Sequence, residues 1–114
     1  MVTLYGIANC DKVRAARHWL DARHIDHQFH DFRKDGVDAD RLSAWSRTLG
    51  WETLLNRRGT TWRQLPPKDR EAVDAQRAVA LMTAHPALIR RPVLDLDGSL
   101  HVGFRDKEYE QLFS

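Results

Sequence analysis

The residue with the clearest potential for chemistry is Cys10, the only cysteine among 114 residues. It comes directly before a helical pattern that begins at Asp11, where unpaired N–H groups and the positive end of the helix dipole stabilise an anion. Lys12 and Arg14 add positive charge in the first turn, which also favours the thiolate. We therefore predict that Cys10 is a partly exposed, reactive thiolate with a lowered pKa, rather than a small buried apolar residue.

A single cysteine limits what this thiol can do. No disulfide can form within the chain, so any disulfide chemistry must involve a second molecule. Three evenly spaced histidines, His24, His27 and His30, invite a metal-binding interpretation. On a strand, however, His27 points to the face opposite the other two, so the three cannot converge on one ion. No metal site is predicted.

Composition narrows the class of protein. The net charge is +2, with 42% hydrophobic and 30% charged residues, which is typical of an ordinary globular domain. Basic residues lie among acidic ones throughout, so no nucleic-acid partner is expected. No apolar run approaches the roughly 20 residues that span a bilayer, and the first residues resemble a strand rather than a signal peptide. We predict a cytoplasmic protein, monomeric, with a single domain over residues 1–114.

The elements that must position Cys10 can be predicted from periodicity. A strand at 2–5, a helix at 11–23 and a strand at 25–32 form a β-α-β unit, whose strands should be parallel. A helical block follows. Its first predicted segment is capped by Asp38 or Asp40 and runs to Leu49, and the others lie at 52–55, 61–65 and 71–84, the last one interrupted near 73–74. Thr61 is the expected cap of the third segment, and Pro66-Pro67 its end.

The C-terminal part predicts a hairpin and a last helix. Strands at 93–96 and 100–104 flank Asp97-Gly98, a strong turn signal, and an amphipathic helix covers 106–113. We therefore predict an α/β protein with a β-α-β unit, a helical insertion at about 38–85 and a β-β-α unit, sharing a four-stranded mixed sheet.

Four segments in this order resemble the arsenate reductase (ArsC/Spx) family, and within it the YffB-like subgroup. They are GIANCDKVR at 6–14, LLNRRGTTW at 54–62, HPALIRRPV at 85–93 and GFR at 103–105. Together they span essentially the whole chain. The resemblance implies a thioredoxin-like fold with a helical insertion, which agrees with the element order predicted from periodicity.

The resemblance also implies a site in which a nucleophilic cysteine lies among arginines that bind an anionic substrate or a thiol. Carried over by position, Cys10 is the nucleophile, and Arg91 and Arg105 are site arginines expected close to it. A third arginine follows the Leu-Leu pair, where Asn56 aligns strictly and Arg57 is the alternative. Arg14 and Asn9 complete the expected binding residues. Pro92 joins them, and the Arg91–Pro92 bond is expected to be cis.

Two positions depart from the pattern of the family's arsenate reductases. Those enzymes carry a histidine four residues before the cysteine and a serine three residues after it, where this chain has Gly6 and Val13. The departures disfavour arsenate as a substrate. The resemblance implies instead a thiol reductase that uses glutathione as co-substrate, since no second cysteine can resolve an adduct.

Two alternatives remain open: an arsenate reductase, or an Spx-like regulator that binds RNA polymerase. Many Spx proteins carry a Cys-x-x-Cys switch, whereas Val13 occupies its second position here.

Overall fold

A computed structural model describes all 114 residues. The chain divides into two compact units. Unit 1 joins Met1–Asp35 to Arg91–Ser114, and unit 2 comprises Gly36–Arg90. None of the helices is both long enough and apolar enough to cross a membrane.

Unit 1 contains a four-stranded sheet and two helices. Its elements are β1 (Val2–Gly6), α1 (Asp11–Ala22), β2 (His27–Asp31), β3 (Val93–Leu96), β4 (Ser99–Val102) and α7 (Asp106–Leu112). The strand order is β2-β1-β3-β4, with β1 parallel to β2 and antiparallel to β3, and β3 antiparallel to β4. The predicted α/β class and mixed four-stranded sheet are confirmed.

One face of this sheet carries the core of unit 1. Leu4 of β1 and Leu94 of β3 are opposite each other in the antiparallel register, and both are completely buried. They form one cluster with Ala16 and Leu20 of α1 and with Tyr109 of α7. The helical spacing of the two α1 residues places them on one side of the helix, so α1 is held along the sheet.

The C-terminus of α1 explains why β2 starts later than predicted. His24 has a positive φ of 55°, its N–H donates to the carbonyl of Asp21, and the N–H of Ile25 donates to that of Leu20. These two bonds form the Schellman arrangement that ends a helix. Residues 24–26 therefore belong to the turn, and the strand begins at His27.

Unit 2 is helical. It contains α2 (Ala39–Leu49), α3 (Trp51–Leu54), α4 (Thr60–Gln64), α5 (Pro67–Arg70), α6 (Ala75–Ala84) and a 3₁₀ turn (Pro86–Leu88). Asp38 caps α2 and Asp74 caps α6 through their carboxylates. Because Asp74 starts α6 at Ala75, the predicted helical start at residue 71 is wrong, and the short helix α5 was not predicted. The predicted capping role of Thr61 is wrong. Gly59 is the N-cap of α4, because the helix starts one residue before Thr61.

Candidate active site

The loop between β1 and α1 sets the position of Cys10. Cys10 is the N-cap residue of α1, with extended backbone angles (φ −94°, ψ 130°). Its N–H donates to the carbonyl of Ile7 at 3.1 Å, and its own carbonyl accepts from the N–H of Arg14 at 2.9 Å. The side chain is partly exposed, as predicted. The thiol therefore lies at a helix N-terminus, where solutes can reach it.

Several groups around Cys10 act on its charge. Burial alone would raise the pKa of the thiol, but the N–H of Val13, the guanidinium of Arg91 and the N–H of Lys12 outweigh burial, and the pKa lies below its ordinary value of 9.0. Neither N–H group makes a regular capping hydrogen bond to the side chain. We interpret their effect as attraction of N–H dipoles to the charged sulfur. The predicted lowering of the pKa is confirmed in direction.

This lowering has a direct consequence for the pH dependence of reactivity. Only the thiolate reacts with iodoacetamide, so a lowered pKa moves the rise of the rate to lower pH. We expect the alkylation rate of the native protein to reach half of its maximum below pH 9.0. The denatured protein provides the control, because it has lost the helix terminus and Arg91. A native midpoint at or above the denatured one would contradict this assignment.

Arg91 and Cys10 are far apart in sequence, but the pairing of β3 with β1 brings them together. Val93 of β3 is opposite Tyr5 of β1, so Arg91 lies beside the end of β1 that leads into the cysteine loop. Its guanidinium donates a hydrogen bond to the Cys10 sulfur and adds a favourable charge. The Arg91–Pro92 bond is cis, as expected. Pro92 is buried, and its carbonyl accepts from the N–H of Gly103 at 2.8 Å.

The cations of the first helical turn act differently from what their sequence position suggests. The Arg14 guanidinium pairs with the Asp11 carboxylate, and both side chains are exposed. Lys12 contributes to the Cys10 pKa through its backbone N–H, not through its ammonium group. In the first turn of a helix, side chains project outward and away from the N-cap side chain. The backbone N–H groups instead point along the helix axis toward the N-cap residue.

The remaining predicted binding residues lie on the surface of their own units. Asn9 is exposed in the loop before Cys10. Arg105 is the N-cap residue of α7, and its exposed side chain makes no capping hydrogen bond. Neither residue contributes to the Cys10 pKa. A role for each in binding an anion stays a prediction.

The choice between Asn56 and Arg57 concerns a loop of unit 2. The side-chain oxygen of Asn56 accepts from the backbone N–H of Arg58 at 3.0 Å. The backbone N–H of Asn56 donates to the Leu88 carbonyl at 2.8 Å. Asn56 therefore organises the loop. The exposed guanidinium of Arg57 lies 5.3 Å from the ring centroid of Trp51. Its assignment as the third arginine stays a prediction.

Sequence reasoning missed the contribution of Val13. In the sequence, position 13 differs from the family's arsenate reductases by lacking a serine and from many Spx proteins by lacking a second cysteine. Its backbone N–H, however, makes the largest contribution that lowers the Cys10 pKa. Val13 is the third helical residue after the N-cap, the N3 position, whose N–H is a usual capping donor. That spacing was the available signal.

Comparison with known proteins identifies the family. The ArsC family matches residues 5–112. This chain belongs to the ArsC family. The family predicted from the four segments is confirmed, and so is the thioredoxin-like fold of ArsC proteins.

Individual ArsC relatives cover nearly the whole chain. A solved YffB protein is 40% identical, covers 100% of both chains and superposes with a TM-score of 0.96. An arsenate reductase-related protein from Brucella melitensis is 50% identical over 99% of this chain and 94% of its own, with a TM-score of 0.78. The global transcriptional regulator Spx 2 of Bacillus anthracis is 28% identical over 110 residues, which are 95% of this chain and 83% of that protein.

Proposed function

We propose that this ArsC-family protein is a glutathione-dependent thiol reductase of the cytoplasm, with Cys10 as its nucleophile. The observation that carries the proposal is the contact between the Arg91 guanidinium and a partly exposed sulfur at a helix N-terminus. A low-pKa, accessible thiolate is the attacking species in thiol–disulfide exchange. Because Cys10 is the only cysteine, a second thiol must complete each turnover.

The cycle has two exchange steps. The Cys10 thiolate attacks the glutathione sulfur of a mixed disulfide, a new S–S bond forms to Cys10, and the substrate leaves as a thiolate. A glutathione thiolate then attacks the glutathione sulfur bound to Cys10. This step releases the Cys10 thiolate and oxidised glutathione. In the net reaction the substrate sulfur is reduced from the disulfide to the thiolate, and the sulfur of the second glutathione is oxidised from the thiolate to the disulfide. The glutathione that came with the substrate stays at the disulfide level throughout.

The arginines supply a rationale for glutathione. Glutathione carries two carboxylates, and guanidinium groups bind carboxylates through paired hydrogen bonds. We assign this role to Arg14, Arg57 and Arg105, with Asn9 and the backbone of Pro92 as further contacts. In the same proposal, Arg91 stabilises the Cys10 thiolate, and the protein acts as a monomer on an oxidised or anionic substrate.

A regulatory function is the second candidate, because Spx 2 is among the relatives. It predicts binding of RNA polymerase without turnover of a disulfide. Arsenate reduction is less well supported, although the Brucella relative is described as arsenate reductase-related. Gly6 and Val13 offer no polar side chain beside the thiol, and a side chain at position 6 would collide with Val13.

The proposal is tested by incubating the reduced protein with oxidised glutathione and measuring its intact mass. We expect a single glutathione adduct, faster than on the denatured chain, that reduced glutathione removes. A protein that stays unmodified while its thiol still reacts with iodoacetamide would contradict the proposal. Recovery of RNA polymerase on the immobilised protein, combined with an absence of turnover, would favour the regulator.

A further inference from the structure

Gly6 and Val13 are in direct contact beneath the active-site loop. Gly6 is the last residue of β1, and Val13 is a completely buried residue in the first turn of α1. A Cβ added at Gly6 would lie 2.6 Å from Cγ2 of Val13, 3.1 Å from Cγ1 and 3.4 Å from Cβ. The first distance is far shorter than van der Waals contact. The space at position 6 is therefore filled by the two methyl groups of Val13.

The need for glycine at position 6 is steric rather than conformational. Gly6 is not among the glycines with positive φ, so other residues could adopt its backbone angles. Val13 has little freedom to move aside, since a β-branched side chain in a helix strongly prefers one rotamer. A larger residue at position 6 would have to displace the first turn of α1 from the sheet.

That first turn carries the N–H groups that act on Cys10. The Val13 N–H contributes most to the lowered pKa of the thiol, and the Lys12 N–H also contributes. The side chain of Val13 thus determines how closely α1 approaches β1, and the position of the Val13 backbone N–H depends on that distance. The same residue therefore packs against β1 through its side chain and stabilises the thiolate through its backbone.

We infer that Gly6 and Val13 form a steric lock, which holds the first turn of α1 where the Val13 N–H reaches the Cys10 sulfur. Both are positioning residues. The inference rests on the proposed function only in taking Cys10 as the reacting group. The lock itself is uncharged. The charged groups near Cys10 are Arg91 before β3 and Asp11, Lys12 and Arg14 in the first turn of α1, and substitutions within the lock replace none of the four.

A double-variant cycle tests the lock. Gly6→Ala is expected to raise the pKa of Cys10 and to slow its alkylation at neutral pH by about two- to fivefold, because the N–H dipoles of a displaced helix N-terminus attract the thiolate less strongly. Adding Val13→Ala removes both methyl groups and leaves the two Cβ atoms 3.4 Å apart, an ordinary contact. The double variant is therefore expected to return to the pKa of Val13→Ala alone.

Four results would overturn the lock. The first is a folded Gly6→Ala variant in which Cys10 keeps its wild-type pKa. The second is a double variant in which Cys10 keeps the raised pKa of Gly6→Ala. The third applies if Gly6→Ala does not fold. The double variant is then expected to fold, and a double variant that also fails to fold contradicts the steric argument. The fourth concerns the wild-type protein, in which the amide proton resonance of Val13 must shift with the ionisation of Cys10, so a resonance that does not respond contradicts the lock.

These measurements are independent of catalysis. The lock is read from the thiol pKa and from the Val13 amide, whereas the proposed function is read from the glutathione adduct. A protein with a working lock and no adduct would contradict the proposed function alone. An adduct formed equally fast by Gly6→Ala and wild type, at equal pKa, would contradict the lock alone.

Discussion

Replacing Cys10 with serine is expected to abolish glutathione adduct formation and disulfide turnover while making the protein more stable. The loss should reach the background rate of exchange in solution, because a serine hydroxyl is not ionised near neutral pH and no other cysteine can replace it. Cys10 is also the N-cap of α1, where it makes no regular capping bond. Serine is among the preferred N-cap residues, and a good cap contributes about 1 kcal/mol.

The matched control is Cys10→Ala, which removes the nucleophile without providing a cap. Both variants should be inactive, but only Cys10→Ser should show an increased free energy of unfolding in urea. Residual turnover in either variant would show that Cys10 is not the nucleophile. A serine variant no more stable than the alanine variant would show that the N–H groups of α1 do not accept a side-chain cap at this position.

Replacing Arg91 with glutamine is expected to raise the pKa of Cys10 and to slow its reaction with disulfides at neutral pH. A hydrogen bond to a charged group contributes about 1.5–3 kcal/mol, so the loss should be roughly one to two orders of magnitude. Well above the pKa the outcome reverses. The less stabilised thiolate is more basic and therefore more nucleophilic, so the plateau rate should be at least that of wild type.

This crossover separates an electrostatic role of Arg91 from a merely structural one. A disordered site would lower the rate at every pH. Arg91→Lys keeps the positive charge without the planar guanidinium and should give an intermediate pKa. Arg90→Gln is the matched control, because Arg90 is exposed and its charge does not contribute to the Cys10 pKa. An unchanged pKa in Arg91→Gln, or an equal shift in Arg90→Gln, would contradict the assignment.

Local sequence was sufficient for the elements of unit 1 and for the nucleophile, but not for the short helix α5 of unit 2. The alternation in β1, the helical spacing of α1 and the Asp97-Gly98 turn are short-range signals, and each predicted its element. The end of α1 was harder to predict from the sequence. It depends on the positive φ of His24 and on the Schellman hydrogen bonds, and a histidine is not a typical residue for either, so β2 was predicted too long. The N-cap of α4, which is Gly59 rather than the predicted Thr61, was also missed, because Gly59 makes no side-chain capping bond that would mark the helix start.

Neighbouring residues were enough to place the cysteine at the start of a helix, because helix caps are local features. The groups that act on that cysteine, by contrast, are brought to it by the packing of segments distant in sequence. Arg91 reaches the sulfur because β3 pairs antiparallel with β1, whereas the nearby Arg14 pairs with Asp11 instead. The contact of Gly6 with Val13 likewise depends on packing between a strand and a helix. Distances across a fold are set by strand register and side-chain volume, which separation along the chain does not encode.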